Sequence, residues 1–344
     1  MSDVRSSFMF PWDECRPLAG STVLITGGAG FIGSNLAAVL AAHDVRIRVL
    51  DNLYSGYREN LADLGDAVTL IPGDVREKDA CARAMDGVDA VAHLAAEISV
   101  PRSVKEPALS HDINMNGGLN VLMAARDAGV KSLVLASSSA VYGENEVSPK
   151  HEGLLPEPLS PYASHKMAME YYLANFAGLY GMKTVSLRFF NVFGPNQDPS
   201  SAYAAVIPLF AGRMLAGRAP TIFGDGEQTR DFVFVGDVVQ ALVRGLTAPG
   251  EAAGRCFNVG MGQSLSVNEL FGTMARLTGF PGGPDYQPPR LGDVKHSRAD
   301  ISRARRELGF APRFNFEQGL ELALAWYRDH LDHQGKRRDI RREA

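Results

Sequence analysis

Tyr162 and Lys166 stand four residues apart directly after Pro161, and the serine run Ser137-Ser138-Ser139 lies upstream. Proline suits the first turn of a helix, so this spacing puts phenol and ammonium on one face, one turn apart. There the lysine charge favours the phenolate, lowers the tyrosine pKa toward neutrality and makes the residue a general base. A tyrosine and a lysine at this spacing also arise by chance as an exposed pair. The position after a serine-bearing strand end, 132–137, decides for chemistry.

A second group is Gly27-Gly28-Ala29-Gly30-Phe31-Ile32-Gly33, between the β-branched run 22–26 and the Ala/Leu-rich helical stretch 31–42. Gly27 permits a tight turn, Gly30 lets the backbone approach a pyrophosphate, and Gly33 lets the helix pack closely on its strand. The helix N-terminus offers N–H groups to the phosphates. The next strand, 46–50, ends in Asp51, about 20 residues on, where a carboxylate would accept both ribose hydroxyls. That charge repels a 2′-phosphate, and Asn52 and Leu53 follow rather than an arginine, so NAD is expected instead of NADP. Asp74, after the strand 68–71 and before Val75, either reads an adenine amino group or caps a helix over 76–85.

The elements that must position these groups alternate. Strands at 22–26, 46–50, 68–71, 90–94 and 132–137 are interleaved with helices at 31–42, 76–85 and 107–128, the last stopped by Gly129. Such alternation predicts an α/β fold: right-handed crossovers and a Rossmann-type doubly wound parallel sheet, with ligands at the carboxyl ends of the strands. His93 reads as a packed strand residue, and Ala95-Ala96 are small enough to let a cofactor lie over the strand end. Beyond Gly194 loops and short elements announce a smaller mixed α/β substrate domain. The division expected is an N-terminal extension 1–20, a dinucleotide-binding domain 21–195, an interleaved substrate domain 196–335 closed by amphipathic helices 300–308 and 316–330, and a basic tail 336–344.

Composition narrows the partners. With 344 residues, 45% hydrophobic and 22% charged, the chain is long enough for one large or two unequal globular domains. A net charge of −4 leaves no footprint for nucleic acid. No run of about 18 apolar residues suggests a membrane span, and the start does not read as a signal peptide. Three scattered cysteines, Cys15, Cys81 and Cys256, suggest neither disulfides nor a metal site, so a reducing cytoplasm is expected.

Taken together, the glycine loop, Asp51, Asp74-Val75, His93-Leu94-Ala95-Ala96, the serine run, Tyr162/Lys166 and Arg188-Phe189-Phe190-Asn191-Val192-Phe193-Gly194-Pro195 resemble the extended short-chain dehydrogenases/reductases of the nucleotide-sugar epimerase and dehydratase branch. The resemblance covers roughly residues 20–330. It implies that Tyr162 is the acid/base, Lys166 bonds the nicotinamide ribose and Ser138 bonds the sugar 4-hydroxyl. It extends the cofactor contacts to Phe31, Ile32, Asn52, Leu94, Asn114, Phe189 and Val192. It gives substrate contacts to Ser99, Arg102, Ser139, Asn191, Ala205, Val206, Thr221 and Phe223, and sets Arg230, Arg290 and Asp293 against a nucleotide diphosphate and its ribose. It also implies that a strand 231–235 and helix 237–246 rejoin the large sheet, and that helices 114–128 and 161–179 build a homodimer.

Ser139-Ala140 follow Ser138 where the family's 4,6-dehydratases carry an Asp-Glu pair. Without those carboxylates the implied reaction is reversible oxidation at C4, rotation of the 4-keto sugar and reduction from its other face, an NAD-dependent C4 epimerisation of a UDP-hexose. A silent dinucleotide-binding protein would be expected to lack the tyrosine or lysine. Ser297 aligns where a tyrosine restricts the pocket to glucose and galactose, and the runs 95–103 and 196–208 resemble bacterial UDP-N-acetylglucosamine 4-epimerases of surface-polysaccharide pathways. UDP-GlcNAc/UDP-GalNAc is therefore the first expectation. UDP-glucose is an alternative, and so is UDP-glucuronate, for which Arg102 or another cation would face the C6 carboxylate.

Overall fold

The computed structural model describes residues 13–200, 205–289 and 295–332. Strand and helix alternate from the start as β1 (Thr22–Thr26), α1 (Phe31–Ala41), β2 (Arg46–Asp51), β3 (Val68–Pro72), α2 (Lys78–Met85), β4 (Ala90–His93), α3 (Val100–Lys105), α4 (Pro107–His111), α5 (Gly117–Asp127), β5 (Ser132–Ser138), α6 (Pro161–Tyr180) and β6 (Lys183–Phe189). Shorter elements follow: β7 (Asn191–Phe193), α7 (Val206–Leu215), β8 (Thr221–Phe223), β9 (Thr229–Arg230), β10 (Phe232–Phe234), α8 (Val235–Leu246), β11 (Arg255–Val259), β12 (Leu265–Ser266), α9 (Val267–Thr278), β13 (Asp285–Gln287), α10 (Ser302–Leu308) and α11 (Phe316–His330).

Seven strands form one parallel sheet in the order β11-β6-β5-β4-β1-β2-β3. Side chains alternate across a strand, and the core divides accordingly. Val23 and Ile25 of β1 join the cluster under α1 and α8. Leu24 between them joins the cluster under α2, α5 and α6. Each fully buried aliphatic side chain contributes roughly 1.5–3 kcal/mol. Strand propensity spans only about 1 kcal/mol. Burial on both faces therefore holds these strands.

A third cluster joins Phe193, Phe210, Phe232, Phe234, Leu270 and Trp326, so that α7, α9 and α11 pack on the short β7/β10 pair. Two expectations change here. The strand that rejoins the large sheet is β11, pairing with β6, whereas β10 pairs with β7. Only α8 returns to the large sheet as expected, because its apolar face belongs to the cluster beneath that sheet. The expected helix 107–128 runs through without a break but contains a π-helical stretch, Asp112–Asn116, between α4 and α5. Single π turns interrupt helices where a side chain must be re-aimed, and here Asn114 turns inward to bond the Glu97 backbone at N (2.9 Å) and O (3.0 Å). The segment before β1 is not free: Glu14 pairs with Arg244 and Arg313, and Cys15 is buried in the α1/α8 core.

Candidate active site

A cleft of about 510 Å³ opens at the carboxyl ends of the large sheet's strands. Its floor is the turn from β1 to α1. Gly27 has φ +70, and a Cβ there would stand 2.8 Å from the Ala95 nitrogen. A Cβ on Gly33 would stand 2.4 Å from the Gly27 carbonyl oxygen, so only glycine lets α1 begin this close to its strand. No side chain caps α1, and Phe31, Ile32 and Gly33 of its first turn line the cleft. Uncapped first-turn N–H groups at the positive end of a helix suit a phosphate-bearing ligand. These residues fit a dinucleotide.

Asp51, at the end of β2, is buried and accepts from Ala29 N (2.9 Å) and Leu53 N (2.8 Å). Burial pushes its pKa up, and those two bonds work against the rise. At the far end, Asp74 accepts from Asn52 Nδ2 (2.8 Å) and from Arg76 Nε (2.9 Å) and Nη2 (2.8 Å), which pull its carboxyl down to about 2. Its Oδ1 also accepts from Arg76 N in an Asx turn, and α2 begins only at Lys78, with Glu77 as its N-cap residue. The helix-cap alternative for Asp74 therefore does not hold.

α6 carries the reactive pair. Ser160 caps it, accepting from Ala163 N (3.2 Å), and Pro161 occupies its first turn. Ser138, at the end of β5, lines the same cleft wall as Tyr162, and its hydroxyl accepts from Ala140 N (3.1 Å). Lys166 Nζ donates to Ala136 O (2.8 Å) and lies 5.7 Å from the centre of the Tyr162 ring. The expected lowering of the tyrosine pKa is not what this arrangement produces. Burial pushes the phenol up, with the nearby Ser138 hydroxyl opposing, and burial pushes Lys166 down to about 8. Desolvation disfavours both charged forms, and the ammonium hydrogen-bonds the Ala136 carbonyl rather than the phenol.

The structure brings most of the expected cofactor residues to one cleft. Leu94, Ala95 and Ala96 line it beside the glycine loop, as do Asp51, Asn52 and Asp74-Val75. Phe189 and Val192 line it from β6 and β7, and Ser138, Tyr162 and Lys166 stand at the same wall. Asn114 does not line it, since its amide is spent on Glu97. Among the expected substrate residues, Arg102 lines the cleft, but its guanidinium is held by Glu97 (2.9 Å), Glu106 (3.6 Å) and the Tyr54 hydroxyl (2.6 Å). Ser99 is buried as the cap of α3, accepting from Arg102 N (3.0 Å). Ser139 opens the short turn that follows β5.

The remaining expected residues that the structure describes do not line the cleft. Asn191 pairs with Phe232 across β7 and β10. Ala205 and Val206 begin α7, and Thr221 and Phe223 bound β8. Ser297 N donates to Thr229 O (3.1 Å), which seats Ser297 beside the strand that holds Arg230. Arg290 and Asp293 lie outside the described residues. Sequence reasoning missed Tyr54, Arg76, Glu97, Ile98, Ser137 and Gln197, which also line the cleft. Arg76 stands two residues after Asp74 and could have been read as its partner; the others carry no local signal.

A family described as the NAD dependent epimerase/dehydratase family matches residues 23–260. The UDP-glucose 4-epimerase of Mycolicibacterium smegmatis is 41% identical over 311 residues, covering 89% of this chain and 98% of that protein. A solved UDP-N-acetylglucosamine 4-epimerase from Methanobrevibacter ruminantium, in complex with UDP-N-acetylmuramic acid, superposes with a TM-score of 0.87 at 38% identity, covering 91% of this chain and 100% of that one. A UDP-glucose 4-epimerase from Thermotoga maritima with UDP-glucose superposes at 0.85 with 39% identity, covering 90% and 99%. With a glycine cradle shaped for a dinucleotide, one parallel sheet and similarity along nearly its whole length, the chain belongs to the NAD dependent epimerase/dehydratase family.

Proposed function

We propose that this protein inverts C4 of a UDP-hexose, with the N-acetylhexosamine pair UDP-GlcNAc/UDP-GalNAc as its substrates. The observation that carries the reading is the convergence of Ser138, Tyr162 and Lys166 on the cleft that holds the glycine cradle. Bound NAD supplies reversible hydride acceptance at that wall. The chain's own residues do the rest. Tyr162 takes and returns the proton of the sugar 4-hydroxyl, Ser138 on the same wall meets that hydroxyl, and Lys166, its Nζ anchored on Ala136 O, is the neighbouring cation that holds the nicotinamide ribose. Asp51 holds the nucleotide's ribose and Asp74 its adenine edge.

No carboxylate pair follows Ser138, which supports epimerisation over water elimination. For the substituent, the support is Ser297, a half-buried residue seated beside β9 that is far smaller than the tyrosine that restricts the pocket in related enzymes. UDP-glucuronate is disfavoured because Arg102 already faces two carboxylates. A side-by-side kcat/KM for UDP-GlcNAc, UDP-glucose and UDP-glucuronate tests this. UDP-GlcNAc is expected to be preferred; a preference for UDP-glucose overturns the substrate reading, and a stable 4-keto-6-deoxy product overturns the reaction. The exposed Tyr171, Tyr172, Leu179 and Tyr180 on α6 support a homodimer built on that helix.

A further inference from the structure

Behind the reactive pair lies a buried ion pair to which the chemistry above gives no part. Glu170 and Arg188 are 6% and 2% exposed. Arg188 grips the carboxylate through Nε (2.9 and 3.2 Å) and Nη2 (2.7 Å), and its guanidinium lies 4.9 Å over the Tyr142 ring. Glu170 Oε1 also accepts the Ser137 hydroxyl at 2.5 Å. Tyr162, Lys166 and Glu170 follow one another at single-turn spacing on one face of α6. Beside them run three consecutive positions of β5: Ala136 O accepts from Lys166, Ser137 donates to Glu170, and Ser138 shares the cleft wall with Tyr162.

We propose that Glu170, clamped by Arg188, is a positioning residue for the Tyr162/Lys166 pair: it locks Ser137 between the two β5 residues beside them and balances the charge beside Lys166. This rests on the reading of Tyr162 and Lys166 as the acid–base pair. A buried pair costs desolvation that its mutual attraction seldom returns as stability, so its position against the reactive face is what it contributes. The groups facing Lys166 are few. From α6 they are Glu170, His165 and the Tyr162 ring; from β4 it is His93, which burial pushes down to about 3 and leaves neutral. Around Arg188 stand Cys256 of β11, Tyr142 and, near both of these, Glu152. Among the described residues Glu170 is thus the one anion that acts on Lys166, working against the burial that lowers it to about 8.

The two members of the pair have opposite expected effects. Glu170→Gln leaves Arg188 unbalanced and should move the alkaline limb of the kcat/KM profile down by about 1 pH unit; Arg188→Met leaves the carboxylate unbalanced and should move it up by a similar amount. The near-ultraviolet phenolate titration of the cofactor-free protein, taken as a difference against Tyr162→Phe, should shift in the same two directions. The double variant should bring both readouts back toward wild type. If one single variant fails to fold, the other carries the test by its own sign. Limbs that stay put, or move the same way in both variants, overturn the proposal. Retained activity in Tyr162→Phe would instead sink the acid–base reading beneath it, so the two failures are distinguishable.

Discussion

On the proposed acid–base role, a single oxygen at Tyr162 separates a working site from a silent one. Tyr162→Phe should lower kcat by about 10²–10⁴-fold, the usual contribution of general acid–base transfer. The NAD content of the purified protein should stay unchanged, because the cradle at Gly27 and Gly33 is untouched. Activity should also fall on the alkaline side. In the proposed mechanism Lys166 works as an ammonium; burial lowers its pKa to about 8, and the charged form is lost as pH rises through that value. A kcat/KM profile that is flat to well above that value would show that Lys166 is not the limiting group. Ser297→Tyr tests the gate: turnover of UDP-GlcNAc should collapse while turnover of UDP-glucose survives. An equal loss on both substrates would remove Ser297 from that role.

Between elements, the connections that matter are polar and long-range. Asp231, fully buried, accepts from Met261 N (2.7 Å), Gly262 N (3.0 Å) and Ala299 N (3.0 Å), so one carboxylate ties the end of β11 to the segment that carries Ser297. Asp231→Asn puts a donor among donors and should destabilise the fold by about 1–3 kcal/mol. It should also raise KM for the UDP-sugar more than it lowers kcat, which steady-state kinetics and chemical denaturation together can check. The pH sign follows from burial, which raises this carboxyl from 3.8 to about 6. The native state then holds a proton that the unfolded chain releases. This group's contribution is greatest below the lower value and declines as pH climbs to the upper one. Gly33→Ala is the matching test of the β1/α1 junction: with a Cβ 2.4 Å from Gly27 O, the loss should appear in both melting temperature and retained NAD.

For the whole molecule, the open question is what covers α6. Tyr171 is 60% exposed and Leu179 74%, more than a monomer's helix needs to show. A homodimer should sediment at twice the chain mass, and Tyr171→Glu with Leu179→Arg should halve it without changing the fold by circular dichroism. A wild-type monomer at micromolar concentration would exclude this interface. Added NAD should raise the melting temperature, since a ligand that binds only the folded state stabilises it by about 2.7 kcal/mol at a hundredfold excess over Kd.

Much of this was legible from residue order alone. Apolar strands punctuated by glycine turns specify a parallel sheet, because the signals for strand, turn and helix are local. The glycine loop, Asp51 and the Tyr162/Lys166 spacing were readable for the same reason. The π turn at Asp112–Asn116 was not, because it exists to bring Asn114 to Glu97, a contact no helical pattern encodes. The Arg102 network with Glu97, Glu106 and Tyr54 was equally hidden, and it changes a free cation into a balanced one. The direction of the Tyr162 pKa shift reversed for the same kind of reason. Spacing gives which groups are near, but only packing decides how much water they lose, and here desolvation is the largest cause of the shift at both Tyr162 and Lys166.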